Sequence, residues 1–516
     1  MTTGWIDKAG KAALLVVSCA LTLFAAELVV RAVDGLPLAT DWLPDTHDRD
    51  ASTSIMKTIA RAPHVSTDWF RSDPPPLPNR HAPPREWTEA YRAFPAVPDL
   101  AKHTFRPAEL FKAWNAVAVG PPCRNAFLRQ APHWVYLYQP ADNNRYPLYR
   151  FLPNATTPLS LVTNQFGWRG PPIAFEKPPA TVRIAFVGAS TTVNSHHYPF
   201  SYPEFIGHWL NLWAAERKLG MRFETLNAGR EGLISTDIAA VIRKEVLPLA
   251  PDLVVYYEGA NQFILARMLK GEPGAAPVAA PPGTSEGPLA SALRDAAHRS
   301  ALARRLQAAV NLVRHPSGKE LPKPAYQMTW PAGLSESEPD LTRTDLPVNL
   351  STIVTDLESS RVALEAAGSE LAVSSFKWIV HDGLALDPVR NRALWDHLNL
   401  GKWPFTYRDI ARLAAFQNRV LARYAAQHGL PFIDVAGQMP DDPALATDAI
   451  HFSYGGVRLH AWIVLQSLIP LIERRIARHV WPTRPEAKQA VPPGLFFKPK
   501  LYSLEDCPER TGLLTK

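Results

Sequence analysis

Three side chains with the chemistry of acyl transfer stand far apart in the chain: Ser190, Asp448 and His451. A serine hydroxyl is a weak nucleophile at neutral pH. It needs a base to take its proton, a group to orient that base, and hydrogen-bond donors for the oxyanion that forms when it attacks a carbonyl. His451 is a base of the right type, and Asp448, three residues earlier, can fold back onto the second ring nitrogen. Two loops offer donors. Asn227-Ala-Gly-Arg-Glu-Gly232 ends in a glycine whose N–H is unshielded, and Glu258-Gly-Ala-Asn-Gln262 carries the amide of Asn261. The N–H of Ser190 itself is the third.

These residues share a site only if the elements that carry them converge. Arg183-Ile-Ala-Phe-Val-Gly-Ala-Ser-Thr-Thr192 runs from β-formers through a Gly-Ala-Ser turn into helix-starting residues, which places Ser190 at the carboxyl end of a buried strand. Alternation follows: Glu204 to Leu219 predicts a helix closed by Gly220, Arg222 to Asn227 a strand, Ser235 to Leu247 a helix and Asp252 to Tyr257 a strand. After an interruption, Ser351 to Ala367 predicts a helix, Glu370 to Val380 a strand, Thr406 to His428 a helix, Leu430 to Val435 a strand and Tyr454 to Ile476 a last helix. Regular β-α alternation points to a parallel sheet with helices on both faces. Loops leaving the carboxyl ends of such strands meet along one edge, where His451 can reach Ser190.

Taken in order, Gly188-Ala-Ser190, Gly232, Gly259-Ala-Asn261-Gln and Asp448-x-x-His451 resemble the four motif blocks of the SGNH hydrolase superfamily, the GDSL-like esterases. The resemblance covers about Arg183 to Ile476 without the interruption. It implies an α/β fold, a three-layer α/β/α sandwich on a mostly parallel, flavodoxin-like sheet. It also implies Ser190 as nucleophile, His451 as base, Asp448 as its orienter, and Ser190, Gly232 and Asn261 as the oxyanion hole. Ala189 and Gln262 depart from the family pattern, which has aspartate at both positions; neither takes part directly in that chemistry. No cofactor and no metal is expected, and no spacing of paired metal ligands enlists His196 or His197. Those two, with Tyr198 and with His381-Asp382, are expected to line the cleft or lie on the surface.

The amino-terminal residues 1–11 are expected to be cytoplasmic. An anchor over residues 12–33 follows, uncharged from Ala12 to Ala26 and broken only by Glu27 before Arg31. That length suffices to cross a bilayer core of roughly 30 Å. Lysines lie ahead of it and mostly acids behind it, so the remainder is expected outside the cytoplasm, in the periplasm if the cell is Gram-negative. The apolar run continues past every small-residue cleavage site, and past the Val16-Val-Ser-Cys19 box that resembles a lipoprotein signal, which favours an uncleaved anchor.

Residues 34–180 read as a Pro-rich linker and accessory region, 181–480 as the hydrolase-like domain with an insertion at 264–350, and 481–516 as a Pro-rich tail lying on the surface. Trp134, Tyr136 and Tyr138 alternate as in a strand, and their aromatic face suits either a core or a sugar. Ala290 to His315 is basic and amphipathic, a pattern that fits a solvated face or a phospholipid surface. Cys19, Cys123 and Cys507 are too few for a disulfide framework, although the last two can pair in an oxidising compartment. The net charge of +7 is spread along the chain, which excludes a nucleic-acid module.

The expected partners are therefore a membrane and an acylated glycan or lipid. The expected activity is that of a serine ester hydrolase working through an acyl-enzyme. The same triad admits an O-acyltransferase of envelope polysaccharide, and the departures admit a non-catalytic envelope scaffold on the same fold.

Overall fold

The computed structural model describes residues 3–33, 52–60, 65–89, 116–119, 134–138, 149–271, 300–306, 319–386, 391–483 and 500–503, with 38 and 274, apart from residues 86, 90, 159, 195–197 and 304. Along the chain it forms helix α1 (Thr3–Val33), strands β1 (Ala116–Val119), β2 (Trp134–Tyr138), β3 (Tyr149–Phe151) and β4 (Thr181–Gly188), and helix α2 (Tyr202–Glu216). There follow β5 (Arg222–Asn227), α3 (Ser235–Val241), β6 (Leu253–Tyr257), α4 (Leu350–Ala366), β7 (Glu370–Ser374), α5 (Tyr407–Gln427), β8 (Phe432–Ile433), α6 (Tyr454–Ala477) and β9 (Lys500–Ser503).

The central sheet is five-stranded and parallel throughout, in the order β5-β4-β6-β7-β8. This is the flavodoxin-like order, in which the strand order reverses beside β4 and leaves a crevice between β4 and β6 at their carboxyl ends. Every residue of β4 and β6 is buried, as a strand covered by helices on both faces requires. Ser190 leaves β4 and the Glu258–Asn261 loop leaves β6, so both flank that crevice.

Helix boundaries follow local chemistry. α2 starts at a capping box in which the Ser201 N–H and hydroxyl both donate to Glu204, and Thr406 caps α5 by accepting the Asp409 N–H at 3.1 Å. α6 is apolar enough for a membrane span but is mostly buried, its stripe of Val457, Trp462, Ile463 and Leu465 packed into the core. α1 is long and apolar enough to cross a membrane over Ala13–Val33, with a mean hydropathy of 2.4 and every side chain there exposed or half-buried except that of Arg31. Cys19 on it is exposed and unpaired, while Cys123 and Cys507 lie outside the described residues.

Four expectations change. The strand expected to reach Val380 ends at Ser374, because β8 is only two residues long and offers nothing further to pair with. The apolar continuation pairs elsewhere: Phe376 N–H donates to the Asn418 side chain at 2.7 Å, and Ile379 N–H to Ala449 O at 2.9 Å. The strand expected over Leu430–Val435 shortens to Phe432–Ile433 because the Asp434 carboxylate accepts the Gly437 N–H at 3.0 Å and starts a helical turn there. The helix expected to run from Ser235 to Leu247 is α-helical only to Val241 and widens to a π-turn over Ile242–Val246.

The fourth change concerns the Pro-rich ends, which build a second sheet in the order β3-β1-β2-β9. β2 is the strand expected over Trp134 to Tyr138, and β9 from the tail pairs antiparallel with it, so the tail does more than lie on the surface. Which way the β2 side chains point lies outside the described residues. The Pro-rich stretch at 74–78 does drape over a neighbour. It runs beside α2 and α6, where the preceding Ser72 bonds His208 of α2 at 2.8 Å and Asp73 pairs with Arg458 of α6, and it walls a cavity of about 410 Å³ with Pro171 and Ile173.

Candidate active site

Ser190 opens a single helical turn, Ser190–Val193, which ends at Asn194 in the left-handed conformation (φ 46°). The sharp exit from β4 depends on Gly188, where a Cβ would lie 2.2 Å from the Thr192 hydroxyl and 2.3 Å from Tyr257 O. Two side chains hold the turn. Asn227 donates to Thr192 O at 2.9 Å and accepts the Gly229 N–H at 3.1 Å, coupling the serine turn to the loop after β5. Arg169, buried, pairs with Glu204 at 3.0 Å and donates to the carbonyls of Val193 at 3.3 Å, of Asn194, and of Tyr198 at 2.7 Å.

His451 stands over this turn, with Nε2 2.8 Å from Ser190 Oγ. Its Nδ1 is 2.8 Å from Asp448 Oδ2. The other oxygen of Asp448 accepts the N–H groups of Ile450 and His451, both at 2.9 Å, so the carboxylate is fixed in orientation as well as in place. With Nδ1–H directed at Asp448, Nε2 is the acceptor for the serine proton. Sequence residues 261 positions apart therefore form one continuous line from carboxylate through imidazole to hydroxyl.

A second imidazole reaches the same carboxylate: His397 Nδ1 lies 3.6 Å from Asp448 Oδ1, its ring edge-on to Trp378. Burial pushes the Asp448 carboxyl up, but the imidazoles of His451 and His397 more than reverse this and hold it well below the usual carboxylate range. Sequence reasoning missed His397, which arrives on the Arg392–Gly401 segment with no motif spacing to mark it. Lys402, one residue beyond, lies 5.1 Å from the Trp378 ring, and burial lowers its pKa.

Gly232 is exposed with φ 74°, a left-handed conformation in which nothing within 4 Å would crowd a side chain; the backbone angle alone favours glycine. Asn261 is also exposed, and its amide donates to Leu233 O at 2.8 Å, joining the two donor loops side by side. One amide hydrogen of Asn261 is used in that bond and the second remains. The Gly232 loop is braced from the accessory region. Tyr149 Oη donates to Glu231 O at 2.9 Å, and buried Glu245 receives Arg230, Arg150 (3.2 Å) and Trp168 Nε1 (3.1 Å). The π-turn in the helix after Gly232 delivers Glu245 to this cluster.

Beneath the Asn261 loop, Glu258 Oε1 accepts the N–H groups of Ala260 and Asn261, each at 2.8 Å. Its carboxyl is fully buried and is pushed up to about 7, against the pull of those N–H groups and of His451. Gly259 beside it leaves room for Gln417, whose amide a Cβ there would strike at 1.8 Å. The Tyr198 hydroxyl donates to Phe452 O, the residue after His451, at 3.1 Å, and the His381 ring bonds Asp382 O at 2.9 Å. His196 and His197 are outside the described residues. Among the described residues no group of three or more His, Cys, Asp and Glu is arranged to hold a metal ion.

No protein-family model and no curated protein match the chain. Among solved structures it is similar to an α/β-hydrolase enzyme from the metagenome of Lake Arreo, at 16% identity over 55% of this chain and 94% of that one, with a TM-score of 0.30. It is similar also to an acetylxylan esterase from Geobacillus stearothermophilus, at 14% identity over 56% and 94%, TM-score 0.31. A GDSL-like lipase from Bacteroides thetaiotaomicron is similar at 12% identity over 56% and 88%, TM-score 0.27.

Proposed function

We propose that the chain is an exported, membrane-anchored serine ester hydrolase that removes acetyl or another short acyl group from a glycan or lipid of the cell envelope. The observation that carries this reading is the Asp448–His451–Ser190 line, with both of its hydrogen bonds at 2.8 Å. In this mechanism Ser190 Oγ attacks the ester carbonyl carbon while His451 Nε2 takes the hydroxyl proton. The oxyanion is received by the N–H groups of Ser190 and Gly232 and by the free amide hydrogen of Asn261. Each such donor accounts for about 3–4 kcal/mol of transition-state stabilisation when it is removed.

The tetrahedral intermediate collapses by breaking the C–O bond to the alcohol, which leaves with the proton from His451. Water then enters, gives its proton to the same nitrogen, attacks the acyl carbon and releases the carboxylic acid, restoring the Ser190 hydroxyl. Asp448, held ionised, stabilises the imidazolium in both halves of the cycle. The setting at the envelope rests on α1, whose apolar stretch Ala13–Val33 follows Lys8 and Lys11 in its first turns, an arrangement that favours a cytoplasmic amino terminus and an extracytoplasmic domain.

The detergent-solubilised chain should hydrolyse p-nitrophenyl acetate, and Ser190→Ala should lower kcat by at least about 10³-fold. Unchanged turnover in that variant would remove the proposal. Mass spectrometry of envelope glycans should show acyl groups falling when the protein is present; a rise would reassign the same triad to acyl transfer.

A further inference from the structure

Glu27 is the one acid in the apolar part of α1, and among the described residues its carboxylate is fully engaged. It accepts the Ser300 hydroxyl at 2.8 Å, the N–H groups of Ala301 at 2.8 Å and Leu302 at 2.9 Å, and Arg31 Nε at 2.6 Å. Ser300 in turn accepts the Ala303 N–H at 3.0 Å, and Val30 packs on buried Ala301. These residues of the insertion lie more than 270 positions from Glu27 in sequence. Among the described residues the contact involves the last turns of α1; ahead of them, Leu14 and Phe24 are 71% and 61% exposed.

A carboxylate placed in an apolar span is unfavourable unless donors surround it, and exposed backbone N–H groups are equally unfavourable near lipid. Each side of this contact supplies what the other lacks. The sequence beside it is basic, with Arg299, Arg304 and Arg305, a composition suited to a phosphate-rich headgroup layer. The contact therefore falls where the apolar span gives way to headgroups.

We propose that Glu27 latches residues 300–303 of the insertion onto the anchor of the same chain, so that the catalytic domain is tied to the bilayer at two points. One tie is the covalent exit from α1 and the other is this contact. The latch assigns a role to the lone acid of the anchor and to part of the insertion. It rests on α1 being a membrane anchor and not on the chemistry at Ser190.

The test is disulfide trapping of the full chain in native membranes, in a Cys19→Ser, Cys123→Ser, Cys507→Ser background with a protease site placed between residues 280 and 281. After cleavage, Val30→Cys with Ala301→Cys should hold the two fragments together on a non-reducing gel roughly tenfold more than Leu14→Cys with Ala301→Cys. Adding Glu27→Lys should bring the yield down to that control, and Glu27→Gln, which keeps one acceptor, should fall between. Yields are normalised to the protein present in the membrane, so a poorly accumulating variant is still read. Trapping no greater than the Leu14 control, or trapping only as dimers of the uncut chain, would overturn the latch. Because no catalytic readout is involved, its failure and that of the esterase reading are separate results.

Discussion

The two ends of the central sheet both bury charge, and they use it in opposite ways. At the amino-terminal edge, Asp252 accepts the Arg183 N–H at 2.7 Å, Lys177 Nζ at 2.9 Å, and both the N–H and the hydroxyl of Thr483, at 2.6 and 2.8 Å. Arg183, wholly buried, spends its guanidinium on Glu224 at 2.8 Å and on the carbonyls of Ala174, Phe175 and Leu249. Asp252, Lys177 and Arg183 are each closed within the protein. At the carboxyl-terminal edge the same kinds of groups form a chain with one end open: Asp448 is saturated, His451 is shared, and the Ser190 hydroxyl faces the crevice half-buried. Glu258 is held at that edge with its second oxygen making no hydrogen bond among the described residues. Closed networks serve folding, whereas an open chain of proton donors and acceptors is what a reaction requires.

The contrast can be broken first at its functional end. Asp448→Asn keeps the shape of the side chain but favours the wrong imidazole tautomer, and should lower kcat on p-nitrophenyl acetate by about 10⁴-fold, while the denaturation midpoint moves little. At the other end the signature inverts. Asp252→Ala leaves Lys177 buried without its partner and should cost about 3–5 kcal/mol in urea unfolding, with kcat of the remaining folded protein close to wild type. A large loss of stability from Asp448→Asn, or of kcat from Asp252→Ala in folded protein, would erase the division between the two edges.

The smallest effect sharpens it. The Glu258 carboxyl has an ordinary value of 4.5 when unfolded and about 7 when folded, so the native state binds the proton more tightly. Its contribution to stability is complete below pH 4.5 and is lost as pH rises through 7, a change of at most about 3 kcal/mol. Glu258→Gln cannot ionise but can still accept the Ala260 and Asn261 N–H groups. Comparing urea midpoints at pH 5 and pH 8 should therefore show a smaller fall for the variant than for wild type. Equal falls would place Glu258 among the closed charges of the opposite edge.

Much of the edge that carries Ser190 and His451 was legible because its residues mark their own positions. A Gly-x-Ser after a β-rich run, a glycine and an asparagine after the next two strands, and Asp448 three residues before His451 are local patterns, and local patterns survive in sequence. The parallel sheet was legible from the β-α alternation, whereas its flavodoxin-like order was implied only by the resemblance those motifs carry. His397, Glu258 and the bracing of Glu245 by Arg150 and Arg230 were not, since each depends on what tertiary packing brings near a carboxylate. The end of β7 at Ser374 was hidden too: Ser375 to Val380 is as apolar as a strand, and only the shortness of β8 decides that it is none. The second sheet escaped because its pairings join short segments that are remote in sequence, with β2 and β9 more than 360 residues apart.

That second sheet has a consequence for the order of assembly. Its order, β3-β1-β2-β9, puts a strand more than 360 residues downstream of β2 at one margin and, at the other, the strand whose Tyr149 and Arg150 brace the Gly232 loop. Until residue 503 has left the ribosome, β2 lacks its β9 partner. A nascent chain that already holds Ser190 and His451 must therefore wait for residues 500–503 before these four strands are joined, and a chain truncated before Lys500 would never join them.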